Sequence, residues 1–155
     1  MKPIRWIQGV LWVAAAGCAT SYIPNTTVED NDENRQVIEF MERYRLAVER
    51  RDAGALLAMA SRRYYDDAGT PGTEDDLDYE RLQRHLVAMA ERLDDVRYEI
   101  RYRRVTHTAD RVLVDFTYTG SFRLREPPDH WARRIGDNRV VLARENGSFR
   151  ILSGM

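Results

Sequence analysis

From Val112 to Leu124 the chain alternates with a period of two. Val112, Val114, Phe116, Tyr118, Phe122 and Leu124 hold the even positions. Asp115, Thr117, Thr119, Ser121, Arg123 and Arg125 hold the odd ones, with Leu113 the apolar exception. Successive side chains of a strand point to opposite faces, so this row describes a strand with one buried face and one wet face. A helix over the same residues is excluded, because a 3.6-residue turn would scatter the apolar side chains around its whole circumference. Gly120 interrupts the apolar row and marks a place for a bend or bulge, and Pro127-Pro128 stops the strand.

Shorter signals flank this strand. Upstream, Val96, Tyr98, Ile100 and Tyr102 alternate with Arg97, Glu99, Arg101 and Arg103, and a turn is expected over Thr106–Asp110. Downstream, a loop is expected through Trp131 and Gly136, followed by strands over 140–145 and 148–152 that flank Asn146-Gly147. Asn-Gly tolerates the positive φ of a type I′ turn, and that turn sets Leu142 opposite Ile151 and Arg144 opposite Phe149.

Before residue 96 the period is helical. Asp30 and Glu33 fit a capping box. Val37, Phe40, Met41, Tyr44, Ala47 and Val48 then recur at three- and four-residue steps, which predicts an amphipathic helix over about residues 32–50. Asp52 can cap a second, shorter helix carrying Leu56, Leu57, Met59 and Ala60. Asp66 to Gly72 reads as a turn-rich loop. Thr73 and Asp76 offer a box for a third helix, striped by Leu82, Leu86, Met89 and Leu93 and ending near Asp94. The acids from Glu74 to Glu80 would suit the positive end of its dipole. Helices first and sheet second is an α+β order: three N-terminal helices packed on a strongly curved antiparallel sheet.

The first 17 residues have another character. Lys2 and Arg5 precede an apolar stretch from Trp6 to Ala16, broken by Gln8 and Gly9, and small residues lead to Cys18. Charge, then grease, then small residues is the layout of a secretory signal. Ala15-Ala16-Gly17-Cys18 resembles the lipobox of bacterial lipoproteins, with Ala where Leu is usual. That resemblance implies cleavage before Cys18 and acylation of it, so membrane lipid is the expected partner. Cys18 is the chain's one cysteine and has no disulfide partner. Ala19 stands where lipoproteins kept in the inner membrane often carry Asp, which implies an envelope location, on the outer membrane facing the periplasm in a diderm cell. Residues 18–31, rich in Ser, Thr and Asn, read as the lipidated cysteine and a flexible tether. Residues 32–155 form the domain.

Composition narrows the functional classes. Hydrophobic residues make up 43% of the 155, enough for one core. The formal charge is −1, and loss of Lys2 and Arg5 with no acid takes it to −3, the opposite of a nucleic-acid binder's basic excess. No apolar run reaches the roughly 20 residues of a bilayer span.

Three motifs then carry a family resemblance: Phe40-Met41-Glu42-Arg43-Tyr44, Arg51-Asp52-Ala53-Gly54-Ala55-Leu56-Leu57 and the closing Glu145-Asn146-Gly147-Ser148-Phe149-Arg150-Ile151-Leu152. With them the chain resembles, over about residues 33–153, the nuclear transport factor 2-like superfamily. This is the cystatin-like cone that includes SnoaL-type cyclases and ketosteroid isomerases. The resemblance implies helices closing one mouth of a bent sheet, with a pocket on its concave side. Phe116 and Tyr118 would line that pocket, and Tyr44 would place a second hydroxyl in it. Ketosteroid isomerases use a tyrosine like that of Arg43-Tyr44 as an oxyanion donor, and a base in the loop after the second helix, near Asp67 here. Their protonated sheet carboxyl has no counterpart, since the matching stretch reads Arg139-Val140-Val141. His130 and Trp131, beside Asp129, are expected at a binding mouth.

No cofactor or metal is implied. His85, His107 and His130 are far apart and none has a ligand partner at helical spacing, and His85 reads as the edge of a buried stripe. Three readings stand at this point. One is a non-catalytic, membrane-anchored module that binds a small apolar ligand or an envelope protein. The second is a small isomerase or dehydratase using Tyr44, Asp67 and Tyr118. The third is a structural lipoprotein whose cone is filled. Thr117, Thr119 and Ser121 on the outer sheet face suit solvent or a homodimer.

Overall fold

The alternating row becomes the central rib of the sheet. In a computed structural model describing residues 20–69, 72–126 and 130–155, β3 (Leu93–His107), β4 (Val112–Leu124), β5 (Trp131–Glu145) and β6 (Ser148–Ser153) lie in that order, each antiparallel to its neighbour. Val112, Val114 and Phe116 are buried, the last two completely. The Asn146-Gly147 turn has positive φ at both residues, and it pairs Leu142 with Ile151 and Arg144 with Phe149 as the sequence requires.

Two features of the sheet depart from expectation. The irregularities lie away from Gly120, with register shifts in β3 between Leu93 and Asp95 and between Tyr102 and Arg104, and a third in the β5–β6 ladder between Val141 and Leu142. An extra residue on one strand bends it and tightens its twist. It also moves the inward side chain from Tyr102 to Val105, which ends the simple period of two. Gly120 keeps continuous pairing on both sides; a Cβ there would come within 2.5 Å of the Phe122 ring, so its bareness makes room for that ring. The second departure is β5, which begins at Trp131 where a loop was expected and pairs with β4 from Arg123↔Trp131 to Val112↔Leu142. Its first half is exposed or half-buried on both faces, so no apolar row announced it.

The helices are α1 (Asp32–Glu49), α2 (Ala53–Met59) and α3 (Tyr79–Arg92). α1 buries Val37, Phe40, Met41, Tyr44 and Ala47, and packs on β3 and, through Phe40 against Phe149, on β6. Its cap is Asn31, which accepts from the Asn34 amide, while the expected Asp30 is held by Arg35 at 2.6 Å. At its other end Arg51 takes φ 56°, its amide donates to Val48 and the Asp52 amide to Ala47. That pair of bonds is a Schellman close with arginine in glycine's usual place. Asp52 caps α2 as expected. α3 starts later than the Thr73/Asp76 box implied and is capped by Asp78. Leu77–Asp78 (β2) is drawn into a small hairpin with Tyr65–Asp66 (β1), and Asp76 is buried beside it, accepting from the Tyr65 hydroxyl. Leu93 ends the apolar stripe as the C-cap of α3 and the buried first residue of β3.

The segment expected as tether is folded from about Ser21 onward. Tyr22 bridges Glu29, and Val28 is 2% exposed. The Thr27 amide donates to the Tyr102 carbonyl and its hydroxyl to that of Arg103, at the β3 bulge. Val28 and Ile23 against the core, with polar bonds to β3 and from Asn34 and Arg35 of α1, dock a stretch whose composition is that of a linker. Cys18 and residues 1–17 lie outside the described residues. Among the described residues no helix is long and apolar enough to cross a membrane.

On the convex face, Asp115 is 7% exposed beneath Arg139 (2.6 Å) and Arg104 (3.1 Å). Hydrogen bonding from Arg139 holds its carboxyl below the usual range, against the opposing effect of burial. A depressed folded value contributes stability that is present above the unfolded value near 3.9 and is lost as pH falls through the folded one. Asp115→Asn should therefore cost about 1–2 kcal/mol at pH 7, and the gap to the parent should close as pH falls below about 4. Urea unfolding at several pH values checks this; a gap that persists unchanged to pH 2 would refute it.

Candidate functional site

Residues directly opposite one another in a ladder share a face, so the concave surface can be read in rows. Val96, Phe122 and Ala132 form one row; Tyr98, Gly120 and Arg134 the next; then Ile100, Tyr118 and Gly136; then Tyr102, Phe116 and Asn138. Two of these rows carry a glycine. The Phe122 ring folds over Gly120, and the Tyr118 ring lies 3.1 Å from where a Cβ of Gly136 would sit. A cavity of about 500 Å³ remains between the Arg51–Leu56 corner, α3 and the sheet.

Its walls are mostly apolar. Leu82, Leu86 and Met89 come from α3, Leu56 from α2, and Val96, Phe122 and Leu124 from the sheet. Tyr44 and Tyr98 are buried within it, their hydroxyls interacting, and the Tyr98 ring stacks on Tyr118 at 5.6 Å. Burial, the main cause, pushes the Tyr44 phenol up to about 12, and it raises Tyr98 further, with Tyr44 and Tyr118 adding to the effect. Phenols so placed stay protonated and act as hydrogen-bond donors, not as bases. At the rim stand Arg51, Arg92, Arg134, His85 and Asn138. No Asp or Glu is among the described residues of the lining.

A second cavity, about 440 Å³, lies beyond Asn138 and Met155, which border both. Asp66 lines it and accepts from the Gly154 amide at 2.7 Å. The same carboxylate accepts from the Tyr64 hydroxyl, whose ionisation burial pushes strongly upward.

The residues singled out from the sequence divide as follows. Tyr44 and Tyr118 meet in the cavity. Phe116 is wholly buried one row further on, against Tyr102, and does not reach the open space. Asp67 is exposed in the turn after β1, where it accepts from the Gly69 amide, away from Tyr44. His130 is exposed and its carbonyl accepts from the Leu124 amide. Trp131 faces the opposite side of the sheet, its ring beside the guanidinium groups of Arg97 and Arg123. It pairs with Arg123, an odd position, and so shares the outward face. Thr117 is also outward and donates to Asp137.

Tyr98, His85, Arg134 and Asn138 are lining residues the sequence did not single out as site residues. Tyr98 was legible as an inward strand residue and His85 as the stripe's edge. Arg134 and Asn138 lay in the stretch expected as a loop, and nothing marked them. Among the described residues no cluster of three His, Cys, Asp or Glu side chains could hold a metal ion.

With the geometry in hand, the fold can be compared with solved structures. A conserved protein from Planctomyces limnophilus superposes with a TM-score of 0.67 at 10% identity, over 79% of this chain and 98% of the other. A ketosteroid isomerase-like protein from Erwinia carotovora atroseptica gives 0.62 at 19% identity, over 79% and 93%. A nuclear transport factor 2-like superfamily protein from Salmonella enterica gives 0.63 at 13%, over 77% and 89%. At these identities the likeness is one of fold: the chain has the nuclear transport factor 2-like α+β cone. No protein-family model matches the sequence, and no curated protein does.

The buried phenols make a spectroscopic prediction. Tyr44 ionises near 12, and Tyr64, Tyr98 and Tyr102 are all pushed upward mainly by burial. At least four of the eight tyrosines should therefore stay protonated at pH 11 in the folded protein and titrate near 10 on unfolding. Ultraviolet difference titration reads this directly, and all eight ionising together near pH 10 with native circular dichroism would refute it.

Proposed function

We propose that this protein is a membrane-anchored, non-catalytic module that holds a small, largely apolar molecule in its cone. The observation that carries the reading is the cavity itself: about 500 Å³, walled by aliphatic and aromatic side chains, with protonated phenols inside. Pockets of that size and character are where small molecules bind. The cone is not filled, which speaks against a purely structural role. The isomerase or dehydratase reading has a fold neighbour in its favour and a donor pair in Tyr44 and Tyr118, but it lacks a carboxylate on the described lining. Asp67 faces solvent instead. Proton abstraction in this cavity would fall to His85, the lining side chain chemically suited to it.

Anchoring and location rest on the sequence. Residues 1–17 as a signal and Cys18 as the acylated residue would place the domain at the envelope, on the outer membrane facing the periplasm in a diderm cell. Burying two or three acyl chains, at roughly 0.8 kcal/mol per CH₂, holds a protein on a membrane durably.

Two measurements test these claims. Titration of the full chain with neutral 2-naphthylmethanol should saturate at one site and be lost in Ala132→Phe, which fills the cavity from the sheet side while leaving the fold intact by circular dichroism. Binding that survives the substitution would move the ligand elsewhere. Mass spectrometry of the membrane fraction should find Cys18 N-terminal and acylated, and Cys18→Ser should release the protein from the membrane. A free thiol at Cys18 in membrane-bound protein would sink the anchor.

A further inference from the structure

The distribution of charge around the cavity specifies the ligand more closely. The chain carries 24 basic and 25 acidic residues, yet the described lining holds Arg51, Arg92 and Arg134 with His85 and no acid. The three arginines come from three different elements: the corner after α1, the last turn of α3, and the row of β5 that faces Gly120. That all three line one cavity is therefore a product of the fold and not of one basic run. Arg51 is half-buried and fixed in place, its Nη1 donating to the Leu93 carbonyl at 2.8 Å. Arg92 and Arg134 are exposed, and neither has a carboxylate partner among the described residues. Behind this rim the walls are apolar, and the groups inside are phenols that donate.

Resting on the binding function proposed above, we infer that the ligand is an amphipathic organic anion, an aryl or acyl carboxylate in chemical class. Its apolar body would enter between α3 and the sheet, and its charged head would stay at the arginine rim. A cation is disfavoured by the same rim, and a neutral apolar molecule gains nothing from it. Guanidinium groups suit carboxylates because their paired N–H donors match the two oxygens. The rim is open to water, so each contact is individually modest and screened by salt.

The experiment compares three probes of one shape on the full chain by calorimetry: 2-naphthoate, 2-naphthylmethanol and 2-naphthylmethylammonium. The carboxylate should bind about tenfold more tightly than the alcohol at low salt, from two or three partly solvated contacts. The ammonium should bind more weakly than the alcohol. Raising the salt should shrink the carboxylate's advantage and leave the alcohol unchanged. Arg92→Gln/Arg134→Gln should bring naphthoate down to the affinity the parent shows for the alcohol, with unfolding temperature and circular dichroism as controls for folding. Equal affinity for carboxylate and alcohol, or a carboxylate advantage untouched by the double substitution, overturns the anion assignment while leaving a binding cavity in place. If none of the three binds in the cavity, the proposed binding function falls, and this inference with it.

Discussion

A long antiparallel sheet has an apolar face to hide, and here the helices are too short to hide all of it. β3 and β5 have 15 residues each, or roughly 50 Å at about 3.3 Å per residue. α1, the longest helix, has 18, or roughly 27 Å at 1.5 Å per residue. Where Val37 and Met41 of α1 meet the sheet the core is closed, with Val114 and Phe116 wholly buried. Beyond the end of α1 the sheet continues, and the cover passes to α3. The cavity is what this mismatch leaves, and the Phe122 and Tyr118 rings, folded over Gly120 and Gly136, line its floor.

The bend of the sheet has its origin in β3. β3 is an edge strand, and at the register shift between Tyr102 and Arg104 its carbonyls take donors from outside the sheet. Thr27 supplies them from a segment that looks, by composition, like a linker. Curvature, the docking of residues 21–31 and the burial of Val28 are thus one arrangement. The convex side is held differently, by ion pairs laid across strands: Asp115 with Arg104 and Arg139, Asp137 with Arg103, Asp94 with Arg123. These account for several of the strand arginines without any partner outside the domain.

Much of this was legible from residue order wherever one face was buried and the other wet. β4, the Asn146-Gly147 hairpin and the stripe of α1 satisfied that condition, and their registers followed. β5 did not, because its first half has no fully buried face. That miss concealed Arg134 and Asn138, which complete the cavity rim. The start of α3 was obscured by a different competition: Leu77 and Asp78 pair with Tyr65 and Asp66, so the acids before them became a hairpin and a buried Asp76, not a first helical turn. Asp67 shows the limit of carrying a role over by resemblance. Its place after α2 was close, but a one-residue step in a tight turn reverses a side chain, and the carboxylate turned to a turn amide.

Arg51 joins two requirements that are normally separate. Its backbone adopts the left-handed conformation that ends α1, for which glycine is the least strained residue, while its side chain spans to the first residue of β3 and forms part of the cavity rim. Glycine would ease the helix ending and erase the strut. Lysine would preserve the charge but lose the planar fork. A position constrained from both directions has few acceptable alternatives, so the α1–α2 corner ties the ending of one helix to the mouth of the cavity through a single residue.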